Sequence, residues 1–323
     1  MAKTHYVRTA LSFLFILTLL VAGCGQAATP GQSGGKLEGT ITISGAFALY
    51  PMVIRWGEEF KNLHPDVKFD ISAGGAGKGM SDALSGAVDI GMVSREIYPE
   101  EEQKGAFWVP VTRDAVFVSV NQNNPVLEDL RRKGLTQETF IGIYITGEIT
   151  TWGQVIGSPE LTDAIHVYTR SDAAGAPETW AKYLGKKQED LLGVGVFGDP
   201  GLLDAVIKDP LGIGFNNLGY AFDNASGELV AGGVALPIDA NGNGQADPDE
   251  VLDIKNKAVE MVAAGKYPSP PARAENLVTK GKPTGLAQAF IQWILTDGQA
   301  FVGEAGYVKM TQEQLDASLK KIK

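Results

Sequence analysis

From Thr40 onward, short β-like runs alternate with helical patterns, and this alternation confines the chain to an α/β architecture. Residues 40–44 read as a strand. Pro51 then opens a helix that places Met52, Trp56, Phe60 and Leu63 on one face, and His64-Pro65 ends it. Residues 67–71 form a second strand, followed by the glycine-rich turn 74–77. The next helix is expected to bury Met80, Ala83, Leu84 and Ala87. Residues 88–93 and 115–120 have the apolar, β-branched character of buried strands. Further strands fit 165–169, 213–216 and 234–238, and helices fit 178–184, 202–208, 285–295 and 298–305. No internal repeat occurs.

The leader precedes this pattern. Lys3 and Arg8 give a positive start, and residues 10–22 are almost unbroken apolar sequence. That length suits a signal-peptide core and is too short to cross a bilayer comfortably. The run Val21-Ala22-Gly23-Cys24 resembles a bacterial lipobox, with Cys24, the only cysteine among 323 residues, as the lipidated first residue of the mature chain. An ordinary secretory signal that happens to contain a cysteine is the alternative. Several acyl chains would anchor the protein stably, whereas one alone binds reversibly. In the lipidated reading no thiol is left for catalysis or for a disulfide framework. The division expected is a signal at 1–23 and a flexible Gly/Ser/Pro/Thr/Gln tether at 24–37.

Composition narrows the function classes. With 44% hydrophobic and 20% charged residues the chain can build a sizeable core. A formal net charge of −10 excludes a general nucleic-acid binder, which needs a basic face. A local positive site for a small anion remains compatible with an acidic body.

Six segments, in order, resemble the phosphate-binding proteins of bacterial ABC uptake transporters. They are Ile43-Ser44-Gly45-Ala46-Phe47-Ala48-Leu49-Tyr50-Pro51, then Trp56, Asp89-Ile90-Gly91-Met92-Val93-Ser94-Arg95, Ile149-Thr150-Thr151-Trp152, Tyr168-Thr169-Arg170-Ser171-Asp172, and Gly212-Ile213-Gly214-Phe215. The resemblance runs from about Gly39 to Tyr307. It implies a two-lobed, periplasmic-binding-protein-like fold of type II with two crossover hinge segments. Lobe 1 would take 38–112 plus 273–323, and lobe 2 would take 113–272, with crossovers near Arg113 and Arg273.

The same resemblance implies an extracytoplasmic, lipid-tethered monomer that captures phosphate or a related small anion between its lobes and delivers it to an ABC permease driven by an ATPase. Its ligand site would draw on Ala46, Phe47, Ala48, Ala76, Ser94, Arg95, Arg170, Ala174, Gly175 and Ala176. Several of these depart from the family pattern. Phe47 stands where a threonine is usual, Ala76 replaces a serine, Ala174 and Ala176 replace a serine and a threonine, and Ser94 takes the place of an aspartate in some members. A hydrogen bond to a charged group contributes roughly 1.5–3 kcal/mol, so four lost hydroxyls could cost about 6 kcal/mol or more. A larger or less polar anion, such as an organic phosphate, a carboxylate or another oxyanion, is therefore the alternative ligand. What remains suits an anion: Arg170 offers a planar charged fork that Asp172 can orient, and the starts of two helices offer free amides. A plain structural salt bridge between Arg170 and Asp172 is the competing reading, and for Arg95 it is an ion pair with nearby Glu96.

A second site is legible without any family. Asp239-Ala240-Asn241-Gly242-Asn243-Gly244-Gln245-Ala246-Asp247-Pro248-Asp249-Glu250 matches the twelve-residue calcium loop, with oxygen donors from Asp239, Asn241, Asn243, Asp247 and Glu250 and the carbonyl of Gln245. It would be a structural Ca²⁺ site pinning an insertion at 239–250. The alternative is a solvated turn rich in Asn, Asp and Gly. No nucleophile elbow, Cys–His pair or metal-ligand histidine pattern suggests an enzyme. The rival from another class is a calcium-stabilised scaffold or adhesion lipoprotein.

Overall fold

The computed structural model describes residues 36–323. The signal segment, Cys24 and the tether as far as residue 35 lie outside the described residues. Among the described residues nine strands join in one hydrogen-bonded sheet: β1 (Gly39–Gly45), β2 (Val67–Ala73), β3 (Ile90–Val93), β4 (Ala106–Asn121), β5 (His166–Arg170), β6 (Val194–Val196), β7 (Gly212–Asn217), β8 (Gly233–Ala235) and β9 (Ala272–Lys280). The spatial order is β2-β1-β3-β9-β4-β7-β5-β6, with β8 also on β4. β1, β2 and β3 are mutually parallel, and so are β7, β5 and β6. Helices cover both faces of these groups, as parallel strands require.

Two long antiparallel strands join the halves. β4 pairs β9 from Ala106↔Lys280 to Ala115↔Ala272, then continues alone to pair β7 and β8. Two hydrophobic clusters lie to either side. One gathers Ile41, Trp56, Phe60, Met92 and Phe290 with neighbours between residues 41–111 and 277–322. The other gathers Phe117, Tyr144, Trp152, Trp180 and Phe215 with neighbours between 115 and 272, and Val308.

Local chemistry explains the elements nearest the cleft. The Tyr50–Leu63 helix has Pro51 in its first turn and buries Met52, Val53, Trp56, Gly57 and Phe60. Trp56 Nε1 donates to the Gly298 carbonyl at 2.8 Å, so the large side chain is buried without an orphaned donor. Gly45 (φ 135°) ends β1 where a Cβ would overlap the Met92 carbonyl and approach Gly79 Cα at 2.8 Å. Only glycine lets this strand, β3 and the Ala76–Ser85 helix meet so closely.

Several expectations shift. The Ala76–Ser85 helix stops at Gly86 (φ 77°), so Ala87 is exposed beyond its end and Leu84 is half-buried. Ala46–Ala48 is a turn ahead of the helix rather than its first residues, because Leu49 is the N-cap. Residues 298–305 split into a 3₁₀ turn (Asp297–Gln299) and a short helix (Ala300–Glu304). Among the described residues no helix is long and apolar enough to cross a membrane.

Candidate functional site

The loop between β5 and the Gly175–Tyr183 helix, residues 170–175, meets three segments from the other half of the molecule. Arg170 Cζ lies 5.3 Å from the Phe47 ring centroid. The Ala173 carbonyl accepts from the Gly77 amide at 3.0 Å. Gly175 lies against Ser94, where a Cβ would overlap both the Ser94 hydroxyl and its carbonyl. Any larger residue at 175 would hold the two halves apart. The structure therefore brings Phe47, Ala76, Ser94, Arg170, Gly175 and their neighbours into one buried seam.

Which of these can bind a guest depends on their remaining hydrogen-bonding capacity. The Ala46 amide donates to the Met92 carbonyl at 2.9 Å, and the Ala174 amide to Gln188 Oε1 at 3.4 Å, so neither is free as expected. Among the described residues the amides of Phe47 and Ala48 have no acceptor. Gly175 and Ala176 open their helix, where amides have no intrahelical partner. Arg95 also departs from expectation: it pairs Glu101 through Nη2 (2.6 Å) and Glu178 through Nε (3.1 Å), and gives Nη1 to the Glu96 carbonyl rather than its carboxylate. Glu178 further accepts from the Tyr98 hydroxyl. Arg95 and Glu178 come from opposite halves, so this cluster fastens the seam rather than offering charge to a ligand.

Arg170 is buried and heavily engaged. Nε and Nη2 donate to Asp172 at 2.8 and 2.6 Å, and Nη1 donates to Asp199 at 2.6 Å. The salt bridge with Asp172 that was the competing reading for this residue is present. Three of five N–H donors are taken and two remain. Burial alone would lower the Arg170 pKa, but Asp199 first and Asp172 next hold it above its ordinary value. Asp199 carried no signal in the sequence beyond an acidic residue in a helix's first turn.

A second charged cluster sits on the two crossing strands. Arg273 on β9 donates from Nε to Glu275 at 3.1 Å, reaches Asp114 on β4 at 3.4 Å, bonds Asn217 and lies 3.5 Å from the Gly175 carbonyl. Two buried carboxylates share this guanidinium. Burial raises Asp114 to about 6 and Glu275 to about 8, with Arg273 opposing the rise. The folded protein thus keeps protons that the unfolded chain releases, so this contribution is complete below the ordinary carboxylate range and is lost as pH rises towards about 8. Unfolding midpoints in urea should fall between pH 6 and 8, and Glu275→Gln should flatten that decline. An equal slope in the variant would refute the assignment.

Beside the seam is a cavity of about 940 Å³, lined by Arg95, Tyr98, Trp108, Lys182, Lys186 and Lys187 among others. Lys182 pairs Glu96 across the halves at 2.5 Å.

The 239–250 loop is folded around its acidic residues. Asp239 is buried; its Oδ1 accepts from the amides of Gly242 (2.7 Å) and Asn243 (3.1 Å), and its Oδ2 from Gly244 (2.9 Å). Glu250 reaches back to the amides of Ala240 (2.8 Å) and Asp247 (3.0 Å). The Asn241 and Asn243 side-chain amides donate to Asp247 at 2.7 and 3.0 Å, and the Gln245 amide donates to Asn243 Oδ1. Gly242 and Gly244 take positive φ (71° and 75°), and the loop is tied to the distant Leu127–Lys133 helix by Ala246 N donating to Arg132 O at 2.9 Å. Among the described residues no three His, Cys, Asp or Glu side chains gather as a metal cluster.

Comparison with known proteins fits this architecture. A family model described as a PBP superfamily domain matches residues 30–298. The phosphate-binding protein PstS of Bacillus subtilis is 26% identical over 320 residues, covering 96% of both chains. The PstS of Methanocaldococcus jannaschii is 25% identical over 289 residues, covering 80% of this chain and 71% of its own. A solved structure from Clostridium perfringens, described as a phosphate ABC transporter substrate-binding protein with bound phosphate, superposes with a TM-score of 0.68 at 26% identity. It covers 84% of this chain and all of its own. A phosphate transport receptor from Vibrio cholerae shares the fold at a TM-score of 0.60 and 21% identity, over 84% of this chain and all of its own.

Proposed function

The chain belongs to the PBP superfamily, and from that premise we propose that it is the extracytoplasmic solute-binding component of an ABC importer for phosphate or a closely related small oxyanion. One observation carries the reading. The Phe47 ring from one half lies against the buried Arg170 guanidinium of the other, which keeps two donors, and the Gly175–Tyr183 helix starts just beyond with its first amides free of intrahelical partners. The start of the Gly175–Tyr183 helix and the guanidinium fork both favour anions, and neither needs a side-chain hydroxyl. A guest touching both sides stabilises the closed arrangement, and a permease that recognises only this arrangement receives loaded protein. The relatives' names and the bound phosphate of the Clostridium perfringens structure support phosphate as the first ligand to test.

Titration calorimetry of the purified chain with phosphate, sulfate and a phosphate monoester tests the reading. Binding of at least one, with a smaller radius of gyration on binding, is expected. Absence of binding by all three would overturn it.

Two further features belong to this reading. Cys24 is the lipid attachment point that holds a monomeric receptor at the outer side of the membrane, supported by the lipobox-like run before it; acyl chains on the N-terminal peptide, read by mass spectrometry, would test this. The 239–250 loop holds a structural Ca²⁺. The sequence supplies hard-cation donors (carboxylates from Asp239, Asp247 and Glu250, amide oxygens from Asn241 and Asn243, and the Gln245 carbonyl), whose side-chain oxygens in this arrangement bond loop amides and would have to close on the ion.

A further inference from the structure

Asp199 is the second residue of the Gly198–Lys208 helix, and it is held on several sides. One carboxylate oxygen takes the Arg170 Nη1 bond, while the other accepts from Asn217 Nδ2 at 2.6 Å and from its amide at 3.4 Å. Asn216 Nδ2 anchors the Asp199 carbonyl at 3.0 Å. The side chain is 1% exposed and that of Arg170 is 0% exposed. One guanidinium therefore faces two carboxylates, Asp172 and Asp199, and the trio carries a formal charge of −1. Phe47, with the Phe197 ring edge-on at a centroid distance of 6.0 Å, covers this cluster with apolar surface. Salt screens such buried charges much less than exposed ones.

An anion that docks on the two remaining Arg170 donors thus meets an arginine already more than neutralised. We propose that Asp199 is a specificity-determining residue of the cleft: an internal carboxylate that competes with the guest for Arg170 and biases the site against oxyanions carrying two full charges. Singly charged or less polar anions are favoured, because they lose less to like-charge repulsion. The same geometry explains why an arginine so well placed for an oxyanion is also sealed by its own side chains. This inference rests on the anion-receptor reading above.

The test is calorimetric titration of the full chain, wild type against Asp199→Asn, with phosphate and sulfate at one ionic strength. Asparagine retains an acceptor for Asn217 and removes the charge. Both anions are expected to bind about tenfold tighter or better in the variant, with the larger gain for doubly charged sulfate. Asp199→Ser serves as the second variant, and thermal unfolding of each confirms that it is folded. Folded variants that bind phosphate no better than wild type would overturn the role of Asp199 while leaving the receptor reading in place. If neither wild type nor variants bind any oxyanion, the receptor reading itself falls and this inference with it.

Discussion

Replacing Arg170 by alanine is expected to lower the unfolding free energy by about 3–5 kcal/mol, the cost of leaving buried charge without its partner. Asp172 and Asp199 would lose their common cation, and Asp199 is 1% exposed, so water cannot easily take its place. The loss should show as a lower urea midpoint at unchanged slope. Oxyanion binding should disappear in the same variant. Lysine should rescue little, because a single ammonium cannot span both carboxylates as the fork does. Pairing Arg170→Ala with Asp199→Asn should recover part of the stability, since the two residues are directly bonded and their effects cannot be additive. A loss below about 1 kcal/mol would mean that the carboxylates find other partners or take up protons, and the charge argument for the seam would fail.

Calcium should produce the second large effect. A ligand that binds only the folded state at a hundred times its dissociation constant adds about 2.7 kcal/mol. For a dissociation constant of about 10⁻⁴ M this needs about 10 mM calcium. For a unit of this size that corresponds to a rise in melting temperature of roughly 3–6 °C, reversed by chelation. In the loop, the Asn241 and Asn243 amide groups face Asp247 with their N–H donors. Calcium binding would turn their oxygens inward and replace those bonds with charge compensation. Glu250→Gln removes the bidentate carboxylate, so it should abolish the calcium response; it keeps an acceptor for only one of the Ala240 and Asp247 amides, so the calcium-free protein should lose about 1 kcal/mol as well. A wild-type melting curve indifferent to calcium and chelator would leave only a solvated turn.

How much of this was legible in advance varies by element. Short, β-branched runs announced themselves: β1, β3, β5 and β7 lie where residues 40–44, 88–93, 165–169 and 213–216 pointed, and β3 and β7 are buried throughout. β4 and β9 did not. Only residues 115–120 of β4 looked like a strand, because its first half carries Pro110, Arg113 and Asp114. β9 carries Arg273, Glu275 and Asn276, which resemble loop composition until the two strands compensate each other's charges. Among the site residues, Phe47, Ser94, Arg170 and Gly175 do meet, yet the partners that decide their chemistry, Glu101, Glu178, Asp199 and Arg273, were not singled out as such.

The sequence alone determined an α/β chain, an arginine shortly before a helix start, and the residue patterns on which the proposed leader, lipid attachment and calcium loop rest. Those features depend on neighbours within about a dozen residues, where periodicity, glycine spacing and turn chemistry act directly. The tertiary structure decided which charges face one another. Asp199 lies 29 residues beyond Arg170, and it reaches the guanidinium only because β6 pairs beside β5 and delivers the next helix to the same end of the sheet. Coulomb energy in a buried seam depends on separations of a few ångströms, and strand order, which no local pattern records, sets those separations.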